Sequence, residues 1–344
     1  MKFREGDFIE THDGLIFDVK GFVHPPDRVV AFIRYFPDAE GERTKNGLTY
    51  GKVYSLSRRY ALLKERFPQY LLYDPVFDET MCEVPVKDVK KRYDPIDMTR
   101  RLRQTKNQDA LQTSALKLAK LLKEEAGIQW STIGITGSVL VGIHNCESDI
   151  DLIIYGSQNC RKVHSALRDM LAHGETPLRS YDQGELERLF DFRSKDTETS
   201  FEDFVRTETE KVLQGKFEDK DYFIRFVKDW NEVKEEYGQV TYRNLGYSMI
   251  AATIEDDAES IFTPCGYRVT NARILKGSRI KGLTDIVSFR GRFCEQARKG
   301  ETVIAQGKVE LVRDATRNRE YRRLLLGNKI SDFMIGQTTQ RRHE

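Results

Sequence analysis

Apolar and polar residues alternate over the first 93 positions in short stretches that are typical of β-strands. Turn residues such as Asp13-Gly14 and Pro25-Pro26 separate these stretches. The pattern predicts strands at residues 7–10, 15–19, 29–36 and 48–54, a helix at 57–67 and an edge strand at 84–86. We therefore expect a β-rich N-terminal domain over residues 1–95.

Helical and strand patterns alternate in the middle of the chain. Leucines on one face predict a long helix at residues 98–126, which Gly127 would end. The elements expected after it are strands at 133–135, 148–154 and 221–229, a helix at 163–173, and a mainly helical polar segment at 175–219 that includes a helix at 201–215 capped by Ser200. This order indicates a mixed α/β core, in a domain expected over residues 96–258.

The last part of the chain again has the pattern of short strands. They are predicted at residues 267–275, 286–294, 302–312 and 320–326. A meander of this kind predicts a small barrel or a half-open sheet in a basic β-rich domain over residues 259–335, followed by a flexible tail at 336–344. The expected fold class is therefore α+β, with the α/β core flanked by two β-rich domains.

Two neighbouring motifs in the core carry the clearest chemical signal. Asp149 and Asp151 are separated by one apolar residue, so a strand would place both carboxylates on one face. The two carboxylates repel each other unless a cation lies between them, which favours a Mg²⁺ site. Upstream, Gly137-Ser138 offers backbone N–H groups and a hydroxyl to a phosphate at the start of a turn or short helix. A solvated strand edge and an ordinary turn would give the same residues without a site.

The Gly-Ser pair followed about a dozen residues later by Ser148-Asp149-Ile150-Asp151-Leu152 resembles the signature of the DNA polymerase β-like nucleotidyltransferase superfamily. Within it, the chain resembles the predicted nucleotidyltransferases of archaea. The resemblance covers residues 107–230 and implies transfer of a nucleoside monophosphate from an NTP such as ATP to a hydroxyl. It also implies that Gly137 and Ser138 bind the triphosphate and that Asp149 and Asp151 bind two Mg²⁺ ions.

The chain departs from the superfamily at the strand predicted over residues 221–229. The superfamily usually has a third carboxylate at the centre of this strand, where the chain has Arg225. Asp221 is therefore the candidate third catalytic acid, Asp229 is the alternative on the same strand face, and a plain turn residue would also explain Asp221. Arg225 is a candidate ligand for a phosphate of the nucleotide.

The distribution of charge suggests a polyanionic partner. Residues 265–344 contain 18 Lys or Arg and 8 Asp or Glu, a net charge of +10, whereas the whole chain carries +2, so residues 1–264 carry −8. Basic and aromatic residues on a β-surface are typical of RNA binding. The candidate RNA-binding residues are Arg290, Arg292, Arg322 and Arg323, and a merely solvated basic face is the alternative. The aromatic and arginine residues near Arg34 and Tyr35 are compatible with nucleic-acid contact or with a core.

Composition excludes several classes of protein. Apolar residues make up 39% of the chain and charged residues 32%, as in soluble globular proteins, and we expect a cytoplasmic location because the chain has no apolar run long enough to span a membrane. The five cysteines form no C-x-x-C pair, so neither a disulfide framework nor a zinc site is indicated. His144 lies between Gly137-Ser138 and Asp149 and is either a substrate contact or a structural loop residue.

These observations predict an NTP-dependent, Mg²⁺-dependent nucleotidyltransferase that releases pyrophosphate. The expected acceptor is RNA, with tRNA as one form of it. The charge and the Arg225 departure leave two alternatives open, a non-catalytic RNA-binding protein that senses nucleotides and an enzyme that transfers a nucleotide to a protein hydroxyl.

Overall fold

The computed structural model describes residues 2–174, 176–195, 199–278 and 281–336. The chain divides into two compact units. Unit 1 comprises Met1–Asp74, Thr80–Tyr181 and Val212–Tyr237, and unit 2 comprises Pro75–Glu79, Asp182–Lys211 and Gly238–Glu344. The flexible tail predicted at residues 336–344 lies, beyond Gly336, outside the described residues.

The N-terminal sheet is a curled antiparallel half-barrel of eight strands. Its strands are β1 (Phe8–Thr11), β2 (Ile16–Val19), β3 (Arg28–Pro37), β4 (Arg43–Lys45), β5 (Leu48–Lys52), β6 (Leu71–Asp74), β7 (Glu79–Pro85) and β8 (Val89–Tyr93), with helix α1 (Leu56–Arg66) after β5. The main sheet order is β4-β5-β3-β2-β1-β8, and β7 pairs with β3 and β6. The expected β-rich architecture is therefore confirmed, and the edge strand predicted at residues 84–86 is the end of the longer β7.

One hairpin of this sheet was missed although its turn has a clear sequence signal. Asn46 and Gly47 connect β4 to β5 and both have positive φ, 50° and 78°. Consecutive positive φ values are required in the tight hairpin turn that Asn-Gly favours. The three residues of β4 are too few for a periodic pattern, which explains the omission.

The central sheet is mixed and is accompanied by helices. Its elements are α2 (Pro95–Gln104), α3 (Ala110–Ala126), β9 (Ile133–Ile135), α4 (Gly137–Val141), β10 (Ile150–Tyr155), α5 (Ser157–His173), β11 (Leu178–Arg179), β12 (Gln214–Phe217) and β13 (Lys220–Val227). The strand order is β11-β12-β13-β10-β9, with β10 and β13 parallel. The mixed α/β core is therefore confirmed.

Three predicted helices of the middle region have different bounds in the structure. The helix predicted at residues 163–173 is α5, which ends at His173 as predicted but begins at Ser157. The single helix expected at residues 98–126 is two helices, because Asp109 and Gln112 form a capping box that starts α3. The helices in unit 2 are α6 (Gln183–Arg193) and α7 (Phe201–Glu208). Ser200 caps α7 as predicted, but the helix ends at Glu208 instead of residue 215, because Gln214 already belongs to β12. Among the described residues, no helix is long and apolar enough to cross a membrane.

The C-terminal sheet belongs to unit 2. It consists of β14 (Val240–Asp256), β15 (Cys265–Gly277), β16 (Leu283–Ser288), β17 (Thr302–Asp314), β18 (Arg319–Leu326) and β19 (Phe333–Gly336). The order is β14-β15-β16-β18-β17-β19, and an additional pairing of β14 with β17 closes a ring of five strands. The expected β-rich region is confirmed, but the meander is wrong, because β16 and β18 pair in parallel.

Candidate active site

The Gly137-Ser138 motif lies at a sharp turn between β9 and α4. Gly137 has φ +65°, a left-handed conformation that favours glycine, and Gly142 ends the helix with φ +69°. Helix α4 has only five residues, and four of them, Ser138 to Val141, are buried. Glycines therefore define both ends of this short helix, and its buried residues anchor it to the core.

The carboxylate of Asp151 lies directly against Gly137. A Cβ atom placed on Gly137 would lie 1.9 Å from Oδ2 of Asp151 and 2.7 Å from its Cγ. The backbone supports the same contact, since the N–H of Thr136 donates to the carbonyl of Asp151 at 3.0 Å. The two halves of the motif thus meet, and only glycine fits between the α4 turn and the acidic side chain.

Asp149 and Asp151 begin the second strand of the motif. Asp149 is exposed just before β10, and Asp151 is its second residue and is half-buried. Burial first, and then the charge of Asp149, raise the pKa of Asp151, while Arg225, Arg34 and Lys52 lower it. Because desolvation and a like charge both disfavour the ionised carboxyl, a divalent cation at this position would relieve an existing electrostatic conflict.

Ser138 provides a second unsatisfied group at the same turn. Its side chain is 4% exposed, and its hydroxyl has no hydrogen-bond partner within the described part of the chain. Buried hydroxyls are normally paired, since leaving one unpaired costs roughly 1–3 kcal/mol. An incoming ligand with acceptor oxygens would satisfy it.

The loop before Asp149 is held by polar contacts. The Arg43 guanidinium on β4 donates to Oγ of Ser148 at 2.7 Å, and Ser148 in turn accepts from the Asn145 backbone at 3.1 Å. His144 lies 2.8 Å from the Asp109 carboxylate at the N-cap of α3. The contact observed for His144 is therefore to a helix cap, and the loop that presents Asp149 is tied to the N-terminal sheet.

Arg225 lies on β13 beside the two acids and contacts the N-terminal segment. Its register partner on β10 is Ile153, two residues after Asp151. Its guanidinium donates to Oε1 of Glu5 at 2.6 Å and lies 3.9 Å from Oδ1 of Asp18. Glu5 is fully buried, so in this structure Arg225 neutralises an internal acid.

The two candidates for a third acid are placed at opposite ends of β13. Asp221 lies at the same end of the sheet as Asp149, with its carboxylate 3.1 Å from the Lys216 ammonium and 52% exposed. Asp229 follows the strand, caps the next turn and pairs with Arg4 at 3.0 Å. No group of three or more His, Cys, Asp or Glu within the described ranges is arranged to hold a metal ion.

Sequence reasoning missed the contribution of the N-terminal sheet to this site. Tyr35 on β3 packs in one cluster with Leu140 and Val141 of α4, and the Thr136 hydroxyl donates to the Gly6 carbonyl at 2.9 Å. Asp18 is a charged residue within a strand whose four residues are all buried, which is a sequence signal for a functional or paired charge. The aromatic residue Tyr35 is core, as one of its two interpretations had it.

The predicted RNA-binding residues do not share one strand face. The strand expected at residues 286–294 ends at Ser288, and Arg292 lies in a 3-10 turn, Gly291–Phe293, so the prediction that Arg290 and Arg292 lie on a strand surface is wrong. Arg290 packs against Gly327, and Arg292 lies 5.3 Å above the Phe293 ring.

Arg322 and Arg323 are likewise separated by their positions on β18. Arg322 is half-buried, whereas Arg323 is 9% exposed and donates to Glu310 at 2.8 Å beneath the Tyr242 ring. Glu310 also pairs with Lys308 at 2.7 Å. Arg323 therefore belongs to an internal ion-pair network, and its assignment to an exposed basic face is wrong.

Comparison with known proteins gives one relative of nearly the same length. The chain is 30% identical over 342 residues to "Uncharacterized protein MJ1086" of Methanocaldococcus jannaschii. The aligned region covers 97% of this chain and 98% of the relative. No family model matches the chain, and no solved structure matches it. The identity and the near-complete coverage of both chains show that this protein belongs to the same family as MJ1086 of Methanocaldococcus jannaschii.

Proposed function

We propose that this protein is a Mg²⁺-dependent nucleotidyltransferase that moves a nucleoside monophosphate from an NTP to a hydroxyl acceptor. The observation that carries the proposal is the contact of the Asp151 carboxylate with Gly137, beside the unpaired hydroxyl of buried Ser138. This contact supports the proposal because it would put a cation-binding acid and a phosphate-binding hydroxyl at one turn. The order α3, β9, α4, β10, α5 in the central sheet supports a DNA polymerase β-like core.

The chain's own residues have separable roles in this reaction. Asp149 and Asp151 would hold Mg²⁺, which in proteins is commonly bound by one or two carboxylates together with substrate phosphates and water. The bound ion would supply activation of the acceptor hydroxyl and neutralisation of the leaving pyrophosphate. Ser138 and the backbone of Gly137 would bind the β- and γ-phosphates.

The bond changes are those of nucleotidyl transfer from an NTP to a hydroxyl group. The acceptor oxygen forms a bond to the α-phosphorus, the bond from that phosphorus to the bridging oxygen breaks, and pyrophosphate leaves with its electron pair. Asp221, at the same sheet end, is the candidate to orient the acceptor hydroxyl and take its proton. The protein's main task is alignment and charge neutralisation, as is general for phosphoryl-type transfer.

The proposed acceptor is RNA, including tRNA. The support is the +10 net charge of residues 265–344, which suits a polyphosphate backbone. The four arginines named from the sequence are not one surface, so the proposal rests on the charge of the region and not on that set of residues.

Label transfer tests the proposal. The purified chain is incubated with each α-³²P-labelled NTP, Mg²⁺, total RNA and lysate protein, and the label is followed in the RNA and protein fractions. Asp149→Asn and Asp151→Asn should each reduce transfer at least 100-fold while circular dichroism is unchanged. Asp97→Asn, which alters an exposed helix carboxylate paired with Arg100, is the matched control and should keep full activity.

The outcomes separate the candidate functions. Label in RNA that requires both acids supports the proposal, and label in protein moves the acceptor to a protein hydroxyl. Asp221→Asn tests the third acid, because it should lower transfer and leave nucleotide binding intact. Transfer that persists in the Asp149→Asn/Asp151→Asn double variant would remove the proposed site.

A nucleotide sensor without transfer is the second candidate. The observation that favours it is Arg225, which stands on the strand where a third acid is expected and is paired with Glu5. This candidate predicts that Mg²⁺-NTP binds with dependence on Asp151 but that no pyrophosphate is released.

A further inference from the structure

The N-terminal half-barrel has two differently packed faces. Ile9, Phe17 and Ile33 belong to its internal core, whereas Phe8, Ile16 and Tyr35 pack with the helix that follows Gly137-Ser138. Both sets lie within unit 1. The second face therefore packs against α4, the helix that contains Gly137 and Ser138.

A β-bulge in β3 lies next to Tyr35, one of the residues that pack against α4. Ile16 on β2 pairs with Tyr35, but the next residue, Phe17, pairs with Ile33. Arg34 is thus the extra residue of the bulge, a feature that redirects a side chain and is frequent beside active sites. Tyr35, the next residue along β3, packs with Leu140 and Val141, so the bulge lies beside the helix that contains Ser138.

Lys52 and Tyr54 join Arg34 to form a cluster, which we call the Arg34–Lys52–Tyr54 cluster. Lys52 is the register partner of Tyr35, so it lies across from the bulge on β5. The Lys52 ammonium is 4.4 Å and the Arg34 guanidinium 5.5 Å from the centroid of the Tyr54 ring, which is 46% exposed. The two cations are therefore held close to each other at a solvent-accessible position.

Neither cation is neutralised by a direct salt bridge in the described part of the chain. Within residues 2–174, 176–195, 199–278 and 281–336, neither side chain forms an ion pair or hydrogen bond. Two of the acids near the cluster already have other partners, since Lys20 pairs with Asp18 at 2.7 Å and Arg225 with Glu5 at 2.6 Å. The third nearby acid, Asp151, is assigned to Mg²⁺ in the proposed function. Two unpaired like charges on one ring repel each other, and a bound polyanion would remove that repulsion.

We infer that the Arg34–Lys52–Tyr54 cluster binds the triphosphate of the incoming nucleotide from the side of the N-terminal sheet. The inference rests on the proposed function and deepens it, since it assigns the half-barrel a substrate-binding role. The ligand class is a nucleoside triphosphate, whose β- and γ-phosphates would lie between this cluster and Ser138. The cluster should therefore bind a nucleoside triphosphate more tightly than a monophosphate, because a monophosphate lacks the β- and γ-phosphate groups.

The test is equilibrium binding of ATP, ADP, AMP and inorganic triphosphate in the presence of Mg²⁺, measured by calorimetry. Arg34→Gln and Lys52→Gln should each weaken ATP binding about 10- to 100-fold, as expected for loss of a charge-assisted hydrogen bond, and change AMP binding less than about twofold. Arg58→Gln, which removes an exposed cation from α1, is the matched control and should bind like the wild type. Arg34→Lys keeps the charge and should retain most of the ATP affinity.

Contrary results are equally defined. Equal loss of ATP and AMP affinity in Arg34→Gln, or no loss in Arg34→Gln and Lys52→Gln, overturns the inference. If Arg34→Gln does not fold, the decision passes to Lys52→Gln and to Arg34→Lys.

Inorganic triphosphate separates this inference from the proposed function. If the wild type does not bind nucleotide, or binds it no better than Asp149→Asn does, the proposed function fails. The cluster then stands only if inorganic triphosphate binds the wild type and is lost in Lys52→Gln, and it is overturned if the wild type ignores inorganic triphosphate.

Discussion

Replacing Gly137 by alanine tests whether contact with Asp151 matters for function. The change adds one methyl group at the turn between β9 and α4. Its Cβ would lie 1.9 Å from Oδ2, 2.7 Å from Cγ and 2.9 Å from Cβ of Asp151. Real Cβ atoms do not approach other heavy atoms so closely, so the Asp151 side chain must move by more than about 1 Å, a displacement that can lower catalysis on the order of 100-fold.

Gly142→Ala is a matched control at the other end of the same helix. Gly142 has φ +69°, nearly that of Gly137, but an added Cβ there meets nothing within 4 Å. Both variants bear the cost of alanine in the left-handed region, about 1–2 kcal/mol. At about 2–4 °C per kcal/mol for a domain of this size, both should lose several degrees of Tm. The difference between them isolates the displacement of Asp151.

The assay measures Mg²⁺-dependent NTP binding and label transfer in both variants, together with thermal unfolding. Gly137→Ala should lose transfer at least 100-fold, whereas Gly142→Ala should stay within about threefold of the wild type. Activity within about threefold of the wild type in both folded variants would refute the reasoning that this contact organises the site. A loss in Gly137→Ala that is matched in Gly142→Ala would assign the effect to helix α4 itself.

Two further predictions concern buried charges of unit 1. Burial and the neighbouring Asp74 raise the pKa of Glu83 to about 8, so the free energy of unfolding should fall as the pH rises from about 4.5 to 8. In urea unfolding, Glu83→Gln should be about 1–3 kcal/mol more stable than the wild type at pH 9 and equally stable at pH 4. Greater stability of the wild type at pH 9 would contradict this. Arg225→Met should destabilise the fold by about 3–5 kcal/mol because it removes the guanidinium from buried Glu5, which keeps Lys20 and the Gly21 N–H as partners. Glu5→Gln added to it should recover part of the loss, and purely additive effects would show that the pair is not coupled.

Local patterns predicted the elements that form the site. The strand at Ile133–Ile135 and the glycine ends of α3 and α5 follow from short apolar runs and from Gly127 and Gly174, both in left-handed conformation. These signals depend only on neighbouring residues, so the sequence contains them in full.

Elements with irregular pairing could not be predicted in the same way. The long strand β14, 17 residues, has pairing shifts with both β15 and β17 and exposed residues such as Arg243 and Asn244, which break the alternation that marks a strand. Conversely, Phe289 to Phe293 alternates like a strand but turns after Ser288. The burial of Phe293, which an alternating strand would also explain, comes from a 3-10 turn at Gly291–Phe293.

The charged surroundings of the acids were beyond local reasoning. Arg34 and Asp18 are more than one hundred residues before Asp149 in the sequence, and they approach the site only because the half-barrel packs against α4. The bulge that places Arg34 is a property of strand register, which periodicity does not contain.

The most direct measurement of the central claim is a crystal structure of the protein with Mn²⁺ and a non-hydrolysable NTP analogue, with anomalous scattering used to locate the metal. We expect a Mn²⁺ peak between the carboxylates of Asp149 and Asp151, with the triphosphate at Ser138. A metal or nucleotide bound elsewhere, with these carboxylates free of the ion at saturating concentrations, would contradict it.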